Sequence, residues 1–242
     1  MKRTVCVLAI LLLVPAFALA SIDYDDLDGL TVSFVDISTS DDGYFGAPSV
    51  SGDAITFNPT DFGVQSSGGG APVLKDGTLS FTIIADAGRD IDSIEIEEFG
   101  DYSLIGSGGL GTFVQVSAAA FFRIEAIEGD ALATPLTYNT NMLYTPSEGS
   151  YDMFNDGSAL TEIWEGELKF NVDAFLAGLG IAGKATQIHF SMDNTLVAMS
   201  EAGSVAFIKK KEVDGFVMTV PVPEPATILV LGLGVLLLRR KR

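Results

Sequence analysis

The sequence predicts an all-β protein, an antiparallel β-sandwich or jelly-roll-like ectodomain, from three observations. Apolar and polar residues alternate one by one through most of the chain interior, as they do in strands with one buried face. Turn dipeptides rich in Asp and Gly cut these runs short, as antiparallel connections require. Long apolar runs of helical character are confined to the two ends.

At the N-terminus, Met1-Lys2-Arg3 is a short basic segment and Val5 to Val14 is apolar, while Ala18 and Ala20 place small residues where a signal peptidase reads. Residues 1–20 are therefore expected to be a secretory signal peptide, cut before Ser21. Cys6, the single cysteine, lies inside it. An exported chain starting at Ser21 has no disulfide, so its stability must come from its core.

Residues 21–219 are expected to form one acidic domain of ordinary size. Leu30, Val32 and Phe34 are assigned to one strand face, Thr31 and Ser33 to the other. Leu79, Phe81 and Ile83 repeat the pattern, as do Ile94 and Ile96, then Trp164, Gly166, Leu168, Phe170 and Val172. Ile188, Phe190 and Met192 are read as inward, and Val205 with Phe207 and Phe216 with Met218 close the series. Turns are expected at Asp42-Gly43, Gly68-Gly69-Gly70, Asp76-Gly77, Asp156-Gly157 and Asp214-Gly215. The single helix expected between the terminal signals runs from Ala174 to Leu179, with Asp173 as N-cap and Gly178 or Gly180 at its end.

Between Ser21 and Val220 eight basic residues face 31 acidic ones, a net charge of −23. A surface so acidic excludes nucleic acid as a partner, since phosphate binding requires a basic face. It favours solubility in a salty medium, or divalent cations held by clustered carboxylates. Asp23, Asp25, Asp26 and Asp28 are the calcium candidates, although Tyr24 and Val35 stand where an EF-hand needs its first aspartate and last glutamate. Asp152, Asn155 and Asp156 form a second oxygen-rich loop.

Enzymatic constellations are scarce. His189 is the only histidine and so the one candidate base for a nucleophilic triad, but it is expected on an outward, solvated strand position and read as a surface histidine. With no thiol after signal cleavage, the ligands of a zinc site are lacking. Gly106-Ser107-Gly108-Gly109-Leu110-Gly111 fits a dinucleotide pattern in letters, but β-favouring residues follow where a helix is required. It is read as a turn. A glycosidase needs only two carboxylates about 5–9 Å apart, and Trp164, Tyr138, Tyr144 and Tyr151 could stack on sugars if they share a surface, although the alternation around Trp164 points to the core.

The last segment, residues 220–242, has three parts. Pro223, Glu224 and Pro225 lie in an alternating proline stretch that favours extended backbone without internal hydrogen bonds. Residues 226–238 are thirteen without a charge; as a helix they reach about 20 Å, short of a hydrocarbon core of roughly 30 Å. Arg239, Arg240, Lys241 and Arg242 follow and hold that end cytoplasmic. Motif, hydrophobic transmembrane helix and basic end, in that order, resemble the PEP-CTERM sorting signal of Gram-negative bacteria. The resemblance implies recognition and processing by a membrane exosortase, with delivery to the cell surface or an exopolysaccharide-rich extracellular matrix.

The sequence thus predicts a secreted, non-catalytic surface or matrix protein, structural or adhesive, with no cofactor unless calcium. Its expected partners are signal peptidase, exosortase, the membrane through the C-terminal helix and extracellular polysaccharide. The alternatives are a carbohydrate-active enzyme with a carboxylate pair and a calcium-stabilised binding module.

Overall fold

The computed structural model describes residues 21–40 and 43–221. Signal-peptide residues Ala18 and Ala20, the turn residue Asp42, the motif Pro223-Glu224-Pro225 and the basic end Arg239 to Arg242 lie outside the described residues.

Among the described residues the strands are β1 (Ser21–Asp23), β2 (Leu27–Asp28), β3 (Val32–Ser40), β4 (Pro48–Ser51), β5 (Ala54–Phe57), β6 (Gly63–Ser67), β7 (Val73–Ala85), β8 (Ser93–Gly106), β9 (Phe113–Ile127), β10 (Asp130–Asn141), β11 (Leu143–Thr145), β12 (Ser150–Asp152), β13 (Ala159–Asn171), β14 (Ala185–Met199), β15 (Ser204–Lys210) and β16 (Phe216–Thr219). One helix, α1 (Val172–Gly178), follows β13. The strands form two eight-stranded sheets. The first runs β1-β3-β7-β14-β9-β10, with β2 on β3 and β12 on β9. The second is built on β8, which pairs along one edge with β13 and along the other with β16 and then β15. Every pairing is antiparallel. The architecture is the expected sandwich.

Alternation supplies the core. Phe34, Leu79, Phe81, Ile83, Ile188, Phe190 and Met192 are fully buried from the first sheet, and Ile94, Ile96, Trp164, Phe170, Phe216 and Met218 from the second. Five aromatic contacts between strands cross from one sheet to the other: Phe81 with Phe57, Phe190 with Phe216, Phe122 and Tyr138 with Phe170 at 4.7 and 4.4 Å between centroids, and Tyr102 with Tyr151. Such pairs add about 0.5–1.5 kcal/mol each beyond the area they bury.

Four expectations need correction. Leu30 is in a bend before β3 and largely exposed, because the strand begins only at Val32. Asp76-Gly77 makes no turn: β7 runs straight through it, and Gly77 faces inward where a side chain would crowd the rings of Phe45 and Phe62. The N-cap of α1 is Asn171, whose Oδ1 accepts from the Ala174 amide at 2.8 Å, and not Asp173, which lies in the first turn. The helix ends at Gly178 with Leu179 as C-cap, and the left-handed Gly180 follows. In β15 the buried face carries Ala206, Ile208 and Lys210, while Val205 and Phe207 are half-buried on the other side. A lysine inside a sandwich has a specific cause, given below.

Two glycines of the second sheet make room for that cause. Gly100 pairs with Trp164 on one side and Lys210 on the other, and a Cβ there would overlap the indole ring. Gly166 lies between Tyr144 and Glu98 in register, and a Cβ there would come 2.6 Å from the Tyr144 ring. Both aromatic rings lie flat across a glycine toward β8. Gly100→Ala is expected to destabilise the domain by about 1–3 kcal/mol or more through overpacking, read as a lower urea midpoint; an unchanged midpoint would contradict this packing.

Candidate functional site

Strict alternation along β8 continues past Ile94 and Ile96 to place Glu98 on the inward face, and along β15 it does the same for Lys210. Glu98, Lys210 and Asn194 of β14 are at most 1 % exposed. Their side chains meet between the sheets. Glu98 Oε1 accepts from Asn194 Nδ2 at 2.5 Å and from Lys210 Nζ, while Oε2 accepts from the Tyr144 hydroxyl at 2.9 Å. The ammonium also faces the rings of Phe62, Phe45 and Trp164, at 5.3, 5.7 and 5.9 Å from their centroids. Gly77 and Ala118 flank Asn194 in register on the neighbouring strands, leaving the cluster room.

Burying two charges costs several kcal/mol per ion unless close pairing and further hydrogen bonds return it. Here the ion pair, the amide and the phenol supply that return. Burial pulls the Lys210 pKa below the usual lysine range even though Glu98 pulls it upward. Burial, then the Glu98 charge, pushes the Tyr144 phenol well above its usual value. Two buried polar atoms, Asn194 Oδ1 and Trp164 Nε1, have no partner in the structure. An amine, a carboxylate and a carboxamide therefore meet between the sheets, out of contact with bulk solvent.

The histidine occupies a different place. His189 points away from the second sheet on β14 but is half-buried there rather than freely solvated. Its Nδ1 is 3.2 Å from the Thr82 hydroxyl and its Nε2 3.4 Å from that of Ser80. Arg123, its partner in register on β9, pairs with Glu125, and Gln187 also reaches Glu125 at 2.8 Å. Neither serine nor threonine is backed by a carboxylate through His189, so the face is a ladder of polar side chains and not a relay.

The calcium candidates serve local structure. Asp26 accepts from the Asp36 amide at 3.0 Å, where β3 bulges with Asp36 in left-handed backbone, and Asp28 accepts from the Ser33 hydroxyl. Asp23 accepts from Ser21, at 3.5 Å; Asp25 is exposed between β1 and β2. Among the described residues no three His, Cys, Asp or Glu side chains are grouped to hold a metal ion. In the second oxygen-rich loop, Asp152 accepts from the Phe154 and Asn155 amides and from the Asn155 side chain, an Asx turn. The glycine-rich segment 106–111 is a turn between β8 and β9, with the Gly109 amide donating to Glu201.

The aromatic residues considered for sugar stacking form no shared surface. Trp164 and Tyr151 are fully buried, Tyr144 nearly so, and Tyr138 stacks on Phe170 at 4.4 Å.

At the other end of the domain, β16 lies between β8 and β5, in register with both from Phe216 to Thr219. Val220 is buried, and its amide donates to the Asp53 carbonyl at 3.0 Å. The Asp53 carboxylate in turn accepts from the Thr31 amide and hydroxyl at 2.7 and 2.9 Å. The chain is thus held to the domain up to Val220. No helix among the described residues is long and apolar enough to cross a membrane.

Because burial first, and the Arg123 charge second, hold the His189 pKa below its usual value near 6.5, folding favours the neutral ring. Its contribution to stability is whole above about pH 6.5 and is lost as pH falls from there through the lower folded-state pKa. The melting temperature of wild type is expected to fall more steeply below about pH 6.5 than that of His189→Gln; parallel pH profiles would contradict the assignment.

Comparison with known proteins bears on the C-terminal end of the chain more than on the rest. No curated protein matches it. Solved structures resemble it only remotely: TmCBM61 in complex with beta-1,4-galactotriose (15 % identity, 74 % of this chain, 92 % of that one, TM-score 0.22) and the family GH12 endoglucanase 3 of Trichoderma harzianum (9 %, 84 %, 97 %, 0.27). A loop-swap mutant of Neocallimastix patriciarum Xyn11A is similarly distant (10 %, 84 %, 100 %, 0.23). Likeness at this level carries no argument about ligand or activity. Residues 221–242 match the family described as the PEP-CTERM protein-sorting motif, beginning at the residue after Val220. The chain thus carries a C-terminal PEP-CTERM protein-sorting motif, the mark of an exported protein sorted by an exosortase.

Proposed function

We propose that this protein is a non-catalytic structural or adhesive component of the cell surface or extracellular matrix of a Gram-negative bacterium. A signal peptidase removes residues 1–20, the C-terminal helix holds the precursor in the inner membrane, and an exosortase acts at Pro223-Glu224-Pro225. The observation that carries this reading is the position of the sorting motif: it starts at Pro221, one residue after the buried Val220. A processing enzyme needs an extended segment to grip, and the interior strand β16 keeps everything before Pro221 out of its reach. Cleavage in the tail then releases the sandwich without removing a strand.

The interior supports the non-catalytic part. The buried groups Lys210 and Tyr144, whose pKa values burial shifts, are sealed between the sheets, and the aromatic residues that a sugar-processing cleft would use are packed into the core. The surface that remains is acidic and rich in short polar side chains, suited to a hydrated polysaccharide matrix.

Glu224→Ala is expected to leave the precursor unprocessed in the membrane fraction, with the tail still attached, as judged by immunoblot with an antibody to the basic end. Processing of that variant at the wild-type rate would contradict recognition through the motif.

A further inference from the structure

We propose that Lys210 and Asn194 become joined by an amide bond formed inside the folded domain, with Glu98 moving the protons. The three side chains come from β15, β14 and β8, and both nitrogens hydrogen-bond the same oxygen, Glu98 Oε1. Two nitrogens that share one acceptor lie within about 6 Å of each other. The amine therefore stands beside the carboxamide it attacks, and holding two groups in this way replaces a bimolecular encounter.

The surroundings suit the reaction. An amine is nucleophilic only when neutral. The rings of Phe45, Phe62 and Trp164 face Nζ and favour its charge. Full burial of Lys210 and Glu98 acts the other way and pulls the Lys210 pKa down, toward transfer of the proton to Glu98, which leaves two neutral groups in place of an ion pair. Asn194 Oδ1 has no hydrogen-bond partner, so no bond is broken when its carbon becomes tetrahedral. The exclusion of water removes the competing hydrolysis of the amide.

The step balances without oxidant, metal or cofactor. Lys210 Nζ passes one proton to the Glu98 carboxylate and, now neutral, adds to Asn194 Cγ. Glu98 returns that proton to Nδ2, the Cγ–Nδ2 bond breaks, and ammonia leaves. The second proton of Nζ passes to Glu98, which ends as a carboxylic acid. An ammonium, a carboxylate and a primary amide become a secondary amide, a carboxylic acid and ammonia, so the interior no longer holds a charge. Tyr144, on the other carboxyl oxygen, is a positioning residue. The bond ties the first sheet, through β14, to the second, through β15, in a domain whose residues 21–221 contain no cysteine.

The test is a tryptic digest of the full-length protein, purified in folded form from the exporting cell, denatured and read by mass spectrometry. Trypsin cuts after Lys184, Lys209 and Lys211 and does not cut after an acylated Lys210. The expected product is residues 185–209 joined to Lys210-Lys211, about 17 Da lighter than the two together through loss of ammonia, with fragmentation placing the branch at residue 194. Recovery of unmodified 185–209 with free Lys210 from the folded protein would overturn the proposal, and this wild-type result decides it even if no variant folds. Among variants whose circular dichroism shows the native fold, Glu98→Gln is expected to lack the branched product and Tyr144→Phe to retain it. A branched product at the wild-type level in folded Glu98→Gln would overturn the role of Glu98.

Discussion

A carboxylate and an ammonium can be kept between two sheets only if each is paired and each remaining hydrogen-bonding position is filled. Glu98 and Lys210 impose that condition on much of the sandwich. The carboxylate draws an amide from β14 and a phenol from β11, so strands of both sheets are fixed relative to β8. The rings that exclude water from the pair need space, which is why Gly100, Gly166 and Gly77 stand where strands elsewhere in this core carry large apolar residues. β8 is the element on which these demands converge. It is also the strand along which β13, β15 and β16 are ordered.

The same strand connects the interior to the export function. β16, the last strand before the sorting motif, lies against the first half of β8, and its end is held by Asp53 and through it by Thr31. The described domain is thus held together up to Val220, and the sorting motif begins at the next residue. Folded payload and processed tail meet at the single step from Val220 to Pro221.

Much of this was legible in the sequence. Period-2 alternation identified the faces of β7, β8, β13 and the first half of β14 correctly, and the three-part tail identified the sorting signal. The register of β15 is ambiguous in sequence because both faces carry apolar residues, Val205 and Phe207 on one and Ala206 and Ile208 on the other, and the larger pair is not the buried one. The inward series read on β8 stops at Ile96, although Ile94, Ile96, Tyr102 and Leu104 place Glu98 inward by spacing alone. A charged residue at an inward position signals a partner, and the partner here is 112 residues away in the chain, beyond the range of any local pattern. The Asp76-Gly77 pair failed as well: a glycine chosen for packing against Phe45 and Phe62 looks like one chosen for a turn. Asn171 was missed as N-cap because the strand β13 runs directly into α1 with no loop between them.

The central claim is that a closed sandwich is exported and released from its sorting tail just beyond the clamp at Val220. The intact mass of the protein, taken separately from membranes and from the extracellular fraction, tests it most directly. The account predicts an extracellular product that begins at Ser21 and ends between Pro221 and Ala226. A protein found only in the membrane fraction and still carrying Arg242 would contradict it.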